Sequence, residues 1–429
     1  MNKNIEKIGN IFDYKKGYAF KSSDYKESGT PIIRVTDFTQ DSISDLKNIY
    51  IDSDSADSYK SYELLENDII IQTVGSWANN INSVVGKVIR VPRKFNKSLL
   101  NQNAVRLRVK EGYSQDYLYY LLKSDMFFKY IINHAQGAAN QASITLDSIF
   151  KFAYPIPDLP IQNKIAGILS AYDELIENNK KRIALLEAMA EELYKEWFVR
   201  FRFPNYENTE FEKAVPKDWL ERPTSELFEI LGGGTPSKDE EEYWKDGEIN
   251  WFTPSDLTKG SSLFIENSEL KCNETGLSKS SAKLFPAFSI MMTSRATIGV
   301  LSINTTEACT NQGFITCLPN EQFPLTYLYF WLKFSKPYFD ILANGATFAE
   351  LSRGVFKKIK MRVPTQDLID KFDNFCKPVF DEILNIQRQT ENLTIQKNQL
   401  LPRLISGKLS VEHLNIQQPP TPAQPTDNE

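Results

Sequence analysis

Two stretches of this chain repeat apolar residues at steps of three and four, and the stretches before each of them alternate short apolar runs with turn residues. In the first long stretch Asp158 can cap and Pro160 suits a first helical turn, and the seam then reads Ile165, Ile168, Tyr172, Leu175, Asn179, Ile183, Leu186, Ala190, Leu193 and Trp197, with Phe203-Pro204 as a stop. The second seam reads Ile369, Phe372, Cys376, Val379, Ile383, Ile386, Thr390, Leu393 and Lys397, closed by Pro402 and Gly407. Both have coiled-coil spacing. Each predicts a helix of about 40 residues, or about 60 Å at about 1.5 Å per residue, far longer than packing on one small domain requires. The simplest partner for either helix is the other, antiparallel. Asn179 and Thr390, polar within the seams, either fix register at some cost in stability or are tolerated defects.

Ahead of the first helix, the runs 31–35, 68–74, 84–91 and 105–109 read as short strands, Ser28-Gly29-Thr30-Pro31 as a turn, and 115–133 as helical. Ahead of the second, Pro216-Lys217-Asp218-Trp219 and the Gly232-Gly233-Gly234-Thr235-Pro236 turn open a similar region. The expected fold class is therefore α+β, a mixed α/β arrangement: two pseudo-repeated globular domains separated by two long antiparallel coiled-coil helices. The expected divisions are a first domain over 1–158, a central helix over 159–203, a second domain over 204–364, a C-terminal helix over 365–409 and a tail over 410–429. From Gln417 on, Pro419, Pro420, Pro422 and Pro425 make the tail read as disordered.

The two halves repeat one pattern about 210 residues apart. Asn101-Gln102-Asn103-Ala104 returns as Asn311-Gln312-Gly313-Phe314, and Tyr117-Leu118-Tyr119-Tyr120-Leu121-Leu122 as Tyr327-Leu328-Tyr329-Phe330-Trp331-Leu332. Gly137-Ala138-Ala139-Asn140 returns as Gly345-Ala346-Thr347-Phe348, and the run from Pro31 to Phe38 echoes that from Ile249 to Leu257. A solenoid would repeat every 20 to 50 residues. This is a duplicated module, one globular domain plus one long helix, and it suits a target with two parts.

Composition narrows the function more by exclusion than by sign. No stretch approaches the roughly 18 apolar residues of a membrane span, and the residues from Met1 to Lys16 contain no apolar signal segment, so a cytoplasmic protein with no membrane partner is expected. The four cysteines lie in the second half without a Cys-x-x-Cys pair, which indicates neither a disulfide framework nor a metal site. The two histidines, His134 and His413, have no counterparts across the repeat. There is no phosphate-binding Gly-x-x-x-x-Gly-Lys-Ser/Thr loop, no dinucleotide fingerprint around Gly232-Gly233-Gly234, and neither the Asn/Asp-Pro-Pro-aromatic motif nor the Gly-rich loop of an amino-methyltransferase. Asp239-Glu240-Glu241-Glu242 reads as a solvated face. The chain is expected to catalyse nothing alone and to hold no cofactor or metal.

What both halves do carry is polar side chains of base-reading type at matching places. The first offers Lys15, Lys16, Tyr18, Lys21, Arg34, Thr36, Trp77, Asn79, Asn80, Gln102, Asn103, Asn140 and Gln141. The second offers Thr235, Lys238, Thr253, Ser255, Arg295, Asn311, Gln312, Asn344, Thr347 and Arg353. Arg suits guanine and Asn or Gln suits adenine, while Ser, Thr and Lys also serve phosphates. The net charge of −5 argues against a protein that grips DNA unaided, since phosphate neutralisation dominates such affinity. Either the basic residues gather on one face or a partner supplies much of the phosphate contact. A duplicated scaffold that reads no DNA, and an enzyme with degenerate motifs, are the competing readings.

At these residues the chain resembles the specificity subunits of type I restriction-modification systems. In the first half the likeness rests on the run from Lys16-Gly17-Tyr18-Ala19-Phe20 to Tyr25, on Tyr154-Pro155-Ile156-Pro157 leading into the helix, and on Leu193-Tyr194-Lys195-Glu196-Trp197-Phe198 leaving it. In the second it rests on Gly233-Gly234-Thr235-Pro236-Ser237, Thr293-Ser294-Arg295-Ala296-Thr297-Ile298-Gly299, Thr310-Asn311-Gln312-Gly313-Phe314 and Leu400-Leu401-Pro402-Arg403-Leu404-Ile405-Ser406-Gly407. The resemblance implies a target recognition domain in each half, each reading one half of a bipartite site in double-stranded DNA, with the helices setting the gap. It further implies two methyltransferase subunits that hold S-adenosylmethionine and methylate adenine, and restriction subunits that translocate and cleave DNA using ATP and magnesium. One departure is that Pro364-Thr365-Gln366-Asp367 keeps only part of the Pro-rich lead-in to the second helix, and a Gln usual in the family is replaced by Asp370-Lys371.

Overall fold

The computed structural model describes residues 4–46, 48–78, 83–138, 141–260, 262–343 and 349–416. It divides into two compact units, residues 1–177 with 391–429, and residues 178–390, so that both cuts fall inside long helices.

In the first unit β1 (Asn4–Lys7) pairs antiparallel with the late strand β13 (Ala153–Ile156). The intervening strands are β2 (Phe12–Lys16), β3 (Thr30–Ile33), β4 (Ile49–Ile51), β5 (Glu63–Leu64), β6 (Ile69–Gln72), β7 (Val74–Gly75), β8 (Val88–Arg90), β9 (Ser98–Leu100), β10 (Ala104–Val109), β11 (Gln136–Ala138) and β12 (Gln141–Ser143). They form sheets in the orders β2-β10-β6-β8, β4-β3-β9-β5 and β11-β12-β7, with β3 and β9 parallel. The expected run 68–74 is divided at Thr73 between two sheets, and only Val88–Arg90 of 84–91 is strand, because Gly86 turns the chain at φ +80°. The expected helix over 115–133 is two, Gln115–Leu122 and Asp125–His134. Ser124 causes the break: its hydroxyl donates to Leu121 O at 2.6 Å and accepts from Phe127 N at 3.5 Å, ending one helix and capping the next.

The second unit repeats this plan. Its strands are β14 (Phe211–Glu212), β15 (Val215–Pro216), β16 (Leu220–Pro223), β17 (Glu229–Gly232), β18 (Ile249–Phe252), β19 (Phe264–Ile265), β20 (Leu270–Cys272), β21 (Ile290–Thr293), β22 (Leu301–Asn304), β23 (Ala308–Thr310), β24 (Phe314–Leu318) and β25 (Lys360–Val363). In the orders β17-β24-β21-β22-β19, β20-β18-β23 and β16-β25 the first four strands match β2-β10-β6-β8 with β19 added at the edge, the next three match β4-β3-β9 and the last pair matches β1-β13, and β18 and β23 are again parallel. Here one helix, Leu325–Leu342, stands where the first unit has two. Cys272 and Cys309 are buried free thiols whose sulfurs lie 3.8 Å apart on the strands flanking β18.

The long helices run Leu159–Tyr194, followed by a π-helical turn over Lys195–Val199, and Gln366–Ser406. Within the first unit, Ile165, Ala166 and Leu169 share a core with Leu404, Ile405 and Val411, and the Tyr154 hydroxyl donates to Ile405 O at 3.1 Å. Asp173 takes Lys397 Nζ at 2.5 Å and the Tyr120 hydroxyl at 2.6 Å, which accounts for a lysine in an apolar seam. Within the second unit, Ala190, Tyr194 and Phe198 share a core with Ile369, Phe372, Cys376 and Ile383, and Arg182 pairs with Glu382 at 2.9 Å. The antiparallel pairing holds in each unit.

The second seam matches its expected positions, with Ile369, Phe372, Cys376, Ile383 and Ile386 fully buried, whereas the first is corrected in part. Leu175 is 51% exposed while Leu169 is fully buried, and Tyr194 and Phe198 are buried where Leu193 and Trp197 are only half so. The departure at Leu175 is local, since Asn179 and Ala190 beyond it are buried at their expected places, and the π-turn over Lys195–Val199 sets Phe198 on the packed face in place of Trp197. Pro402 lies inside the second helix, which ends at Gly407 in the left-handed conformation at φ +75°. The segment expected as tail from residue 410 begins packed, with Val411 buried and Lys164 Nζ donating to Glu412 O at 2.8 Å; residues from 417 lie outside the described set.

Candidate nucleic-acid interface

Strand register draws the candidate residues of each unit toward one turn. In the first unit Lys16 pairs with Val105 and Gln72 with Ala104, and parallel β3 and β9 set Ile33 beside Leu100. The C-terminal ends of β2, β3, β6 and β9 therefore meet at the turn Asn101–Ala104. In the second unit Gly232 pairs with Ile315, Thr293 with Phe314 and Phe252 with Thr310, so four strand ends meet at Asn311–Phe314.

Main-chain hydrogen bonds repeat almost atom for atom. Asn101 N donates to Ile33 O at 2.9 Å, as Asn311 N does to Phe252 O at 3.0 Å. Tyr18 N donates to Leu100 O at 3.0 Å, as Gly234 N does to Thr310 O at 2.8 Å. Thr73 N reaches Asn103 O at 2.7 Å and Ser294 N reaches Gly313 O at 2.8 Å, while Ile144 N and Leu351 N return to Thr73 O and Ser294 O at 2.9 Å each. Position by position, Gln102 corresponds to Gln312, Arg34 to Thr253, Thr36 to Ser255, Lys16 to Gly232 and Leu146 to Arg353.

The side chains at these positions divide into those bonded within the fold and those open to solvent. Arg34 forms a bidentate pair with buried Asp37, Nε at 3.1 Å and Nη2 at 2.8 Å, and its N–H also reaches Asp37 at 2.9 Å. Thr253 places its N–H and hydroxyl on Asp256 Oδ2, both at 2.7 Å. Each acid thus closes a capping box over the turn that exposes Thr36 or Ser255. Arg295 Nε donates to Glu350 at 2.9 Å across a strand bridge. Thr235 donates its hydroxyl to Gln312 Oε1 at 2.6 Å and so orients that amide. Lys238 lies 5.5 Å from the centre of the Trp251 ring, whose Nε1 donates to Gly234 O at 2.9 Å. Trp77 Nε1 donates to Ala138 O at 3.2 Å, tying the loop after β7 to the hairpin strand that faces Gln141. Lys16, Lys21, Gln102, Gln141 and Arg353 are exposed, and Asn103 and Asn311 half-buried. Asn79, Asn80, Asn140, Asn344 and Thr347 lie outside the described residues.

Sequence reasoning missed an aromatic group in the first unit. The Tyr18 ring lies 5.0 Å from Tyr59 and 5.1 Å from Tyr62, and Lys15 Nζ sits 4.6 Å from the Tyr62 ring centre. Tyr59 and Tyr62 come from a 3-10 helix (Asp57–Tyr62) outside the repeated motifs, so no pattern pointed to them. Such a surface offers a π-face beside a cation, which suits sugar, base or phosphate better than proton transfer. Among the described residues no group of three or more His, Cys, Asp or Glu could hold a metal, and no helix is long and apolar enough to cross a membrane.

Comparison with known proteins converges on one family. The profile described as Type I restriction modification DNA specificity domain matches residues 2–188 and again 216–395. The Type I restriction enzyme MjaIX specificity subunit of Methanocaldococcus jannaschii is 28% identical over 324 residues, covering 73% of each chain. The putative type I restriction enzyme MjaX specificity subunit of the same organism is 26% identical over 396 residues, covering 90% of this chain and 88% of that one. Among solved structures, the S subunit of a type I restriction-modification system from M. genitalium matches with a TM-score of 0.60 at 18% identity, covering 94% of this chain and 96% of that one, a likeness of fold. With a duplicated α/β module and long paired helices matched twice, in order, by one profile, the chain belongs to the type I restriction modification DNA specificity family.

Proposed function

We propose that the chain reads a bipartite sequence in double-stranded DNA, one half-site through the strand-end turn around Gln102 and the other through that around Gln312. The observation that carries this is the duplication of the turn, down to individual main-chain bonds, with different side chains mounted on the two copies. Shared geometry supplies docking on any duplex, while differing side chains supply base choice. Two methyltransferase subunits would hold S-adenosylmethionine and methylate adenine, and restriction subunits would supply the ATP- and magnesium-dependent cleavage, all in the cytoplasm. The chain itself contributes recognition and assembly and no catalytic group. The acidic net charge fits this division of labour, because partner subunits can carry much of the phosphate contact.

The test is genome-wide mapping of methylated adenine after the chain is co-expressed with its methyltransferase subunit, beside a control lacking the chain. A bipartite motif with a fixed gap, present only with the chain, is the expected result. A soluble complex that yields no motif would sink this reading and favour a scaffold.

A further inference from the structure

The duplicated turns differ in a way that conserves charge while moving its source. In the first unit, β2 ends on exposed Lys16, and the residue after the Thr145 cap of the helix Leu146–Phe150 is Leu146. In the second unit the strand position is Gly232, and the residue after the equivalent Ser352 cap is Arg353. Arg353 fills the place that the glycine vacates. A Cβ built on Gly232 would stand 2.9 Å from Arg353 Nη1 and 3.4 Å from its Cζ, so the guanidinium lies where a side chain from the strand would begin. Both cations are exposed, and among the described residues neither has a carboxylate within ion-pairing distance. Arg34 and Arg295, by contrast, are each committed to an acid.

We infer that Lys16 and Arg353 are counterparts that present one cation at the same place on each unit, and that this cation meets a DNA phosphate and reads no base. An ammonium and a guanidinium donate in different geometries but neutralise a phosphate alike, whereas a contact that depends on the planar guanidinium fork would change with the exchange. The assignment rests on the DNA-reading function proposed above.

Its test uses the complex of the chain with its methyltransferase subunits and a labelled duplex carrying the mapped motif, with affinity measured across a salt series. Lys16→Gln and Arg353→Gln should each weaken binding and reduce the slope of log affinity against log salt by about 0.9, so that roughly threefold less affinity is lost between about 50 and 200 mM salt. The methylated motif should stay the same in both. Arg353→Leu should behave like Arg353→Gln, and adding Gly232→Lys to Arg353→Leu should restore affinity and slope, because the lysine enters the space that the arginine leaves. A motif altered at one half-site, an unchanged slope, or failure of the relocated lysine to rescue would overturn the inference. Absence of motif-dependent binding by the unaltered complex would instead overturn the proposed function itself.

Discussion

Gly17 and Asn101 approach so closely that a Cβ on the glycine would stand 1.8 Å from the asparagine's main-chain oxygen, and Gly233 and Asn311 repeat the relationship at the same distance. Both obstacles are backbone held by the strand-end bonds described above, so no side-chain rotation relieves them. Gly17→Ala and Gly233→Ala should each cost about 1–3 kcal/mol or more in urea unfolding. Gly260→Ala, with nothing within 4 Å of its added methyl, should stay within about 0.5 kcal/mol of the parent. Equal midpoints for all three variants would count against a rigid turn.

The bond from Thr235 to Gln312 has no described counterpart at Gln102, so losing it should touch the second unit alone. Thr235→Val removes one hydrogen bond of ordinary strength, and DNA affinity of the methyltransferase complex should fall about two- to tenfold. Thr235→Ser, which keeps the hydroxyl, should recover it. Failure of serine to recover binding would mean that threonine acts through its methyl group.

Asp173 holds both the Tyr120 hydroxyl and Lys397, so deleting it leaves a partly buried ammonium without its acid and the tyrosine with only its 3.3 Å bond to Ser170 Oγ. Asp173→Ala should lower stability by about 1–3 kcal/mol. Lys397→Met restores an apolar seam position and removes a desolvated charge, and should be nearly neutral or stabilising. Thermal unfolding of the single and double variants measures the coupling, and additive effects would rule it out.

Acid should act on two neighbouring glutamates in opposite directions. Burial raises the Glu187 pKa, with Lys333 opposing and Glu191 adding to the effect. Its ionised form is thus disfavoured in the folded state, and this penalty disappears as pH falls through the raised folded value. Glu187→Gln should therefore stabilise at about pH 7 and lose that advantage in acid. At Glu191, burial would raise the pKa, but hydrogen bonds from Lys195 and Lys333, both 2.7 Å away, leave it lowered. Its contribution is present above the unfolded value and is lost on acidification through the lowered one, so Glu191→Gln should destabilise at about pH 7 and converge with the parent in acid. Melting temperatures of both variants across this range decide the signs.

Much of this was legible in the order of residues, because duplication preserves spacing. The equivalence of Asn101-Gln102 with Asn311-Gln312 is visible in sequence and is the equivalence that the main-chain bonds enforce. Side-chain commitments were not legible. Nothing in the order of residues shows that Asp37, three residues on from Arg34, takes the Nε–Nη2 edge of its guanidinium. Arg295 is claimed by Glu350 across a strand bridge, and Tyr59 and Tyr62 reach Tyr18 through tertiary packing that leaves no periodic trace. The exchange of Lys16 for Arg353 escapes any alignment, since the two cations sit at non-equivalent positions in the chain. Long helices are read well for existence and poorly for face: Leu175 has the spacing of the seam yet stands 51% exposed, while Leu169, one residue off the seam position 168, is fully buried.

The split of the chain into a unit made of its two ends and a unit made of its middle bears on how it is born. The core of the first unit needs Leu404, Ile405 and Val411, which leave the ribosome after the whole of the middle unit. The middle unit, complete by Thr390, has all its residues earlier. The domain begun first must therefore wait, its apolar surface uncovered, until Val411 has been made, and the domain begun second can finish before it. A ribosome that stalls within the final helix would release a chain whose N-terminal half is the unfinished one.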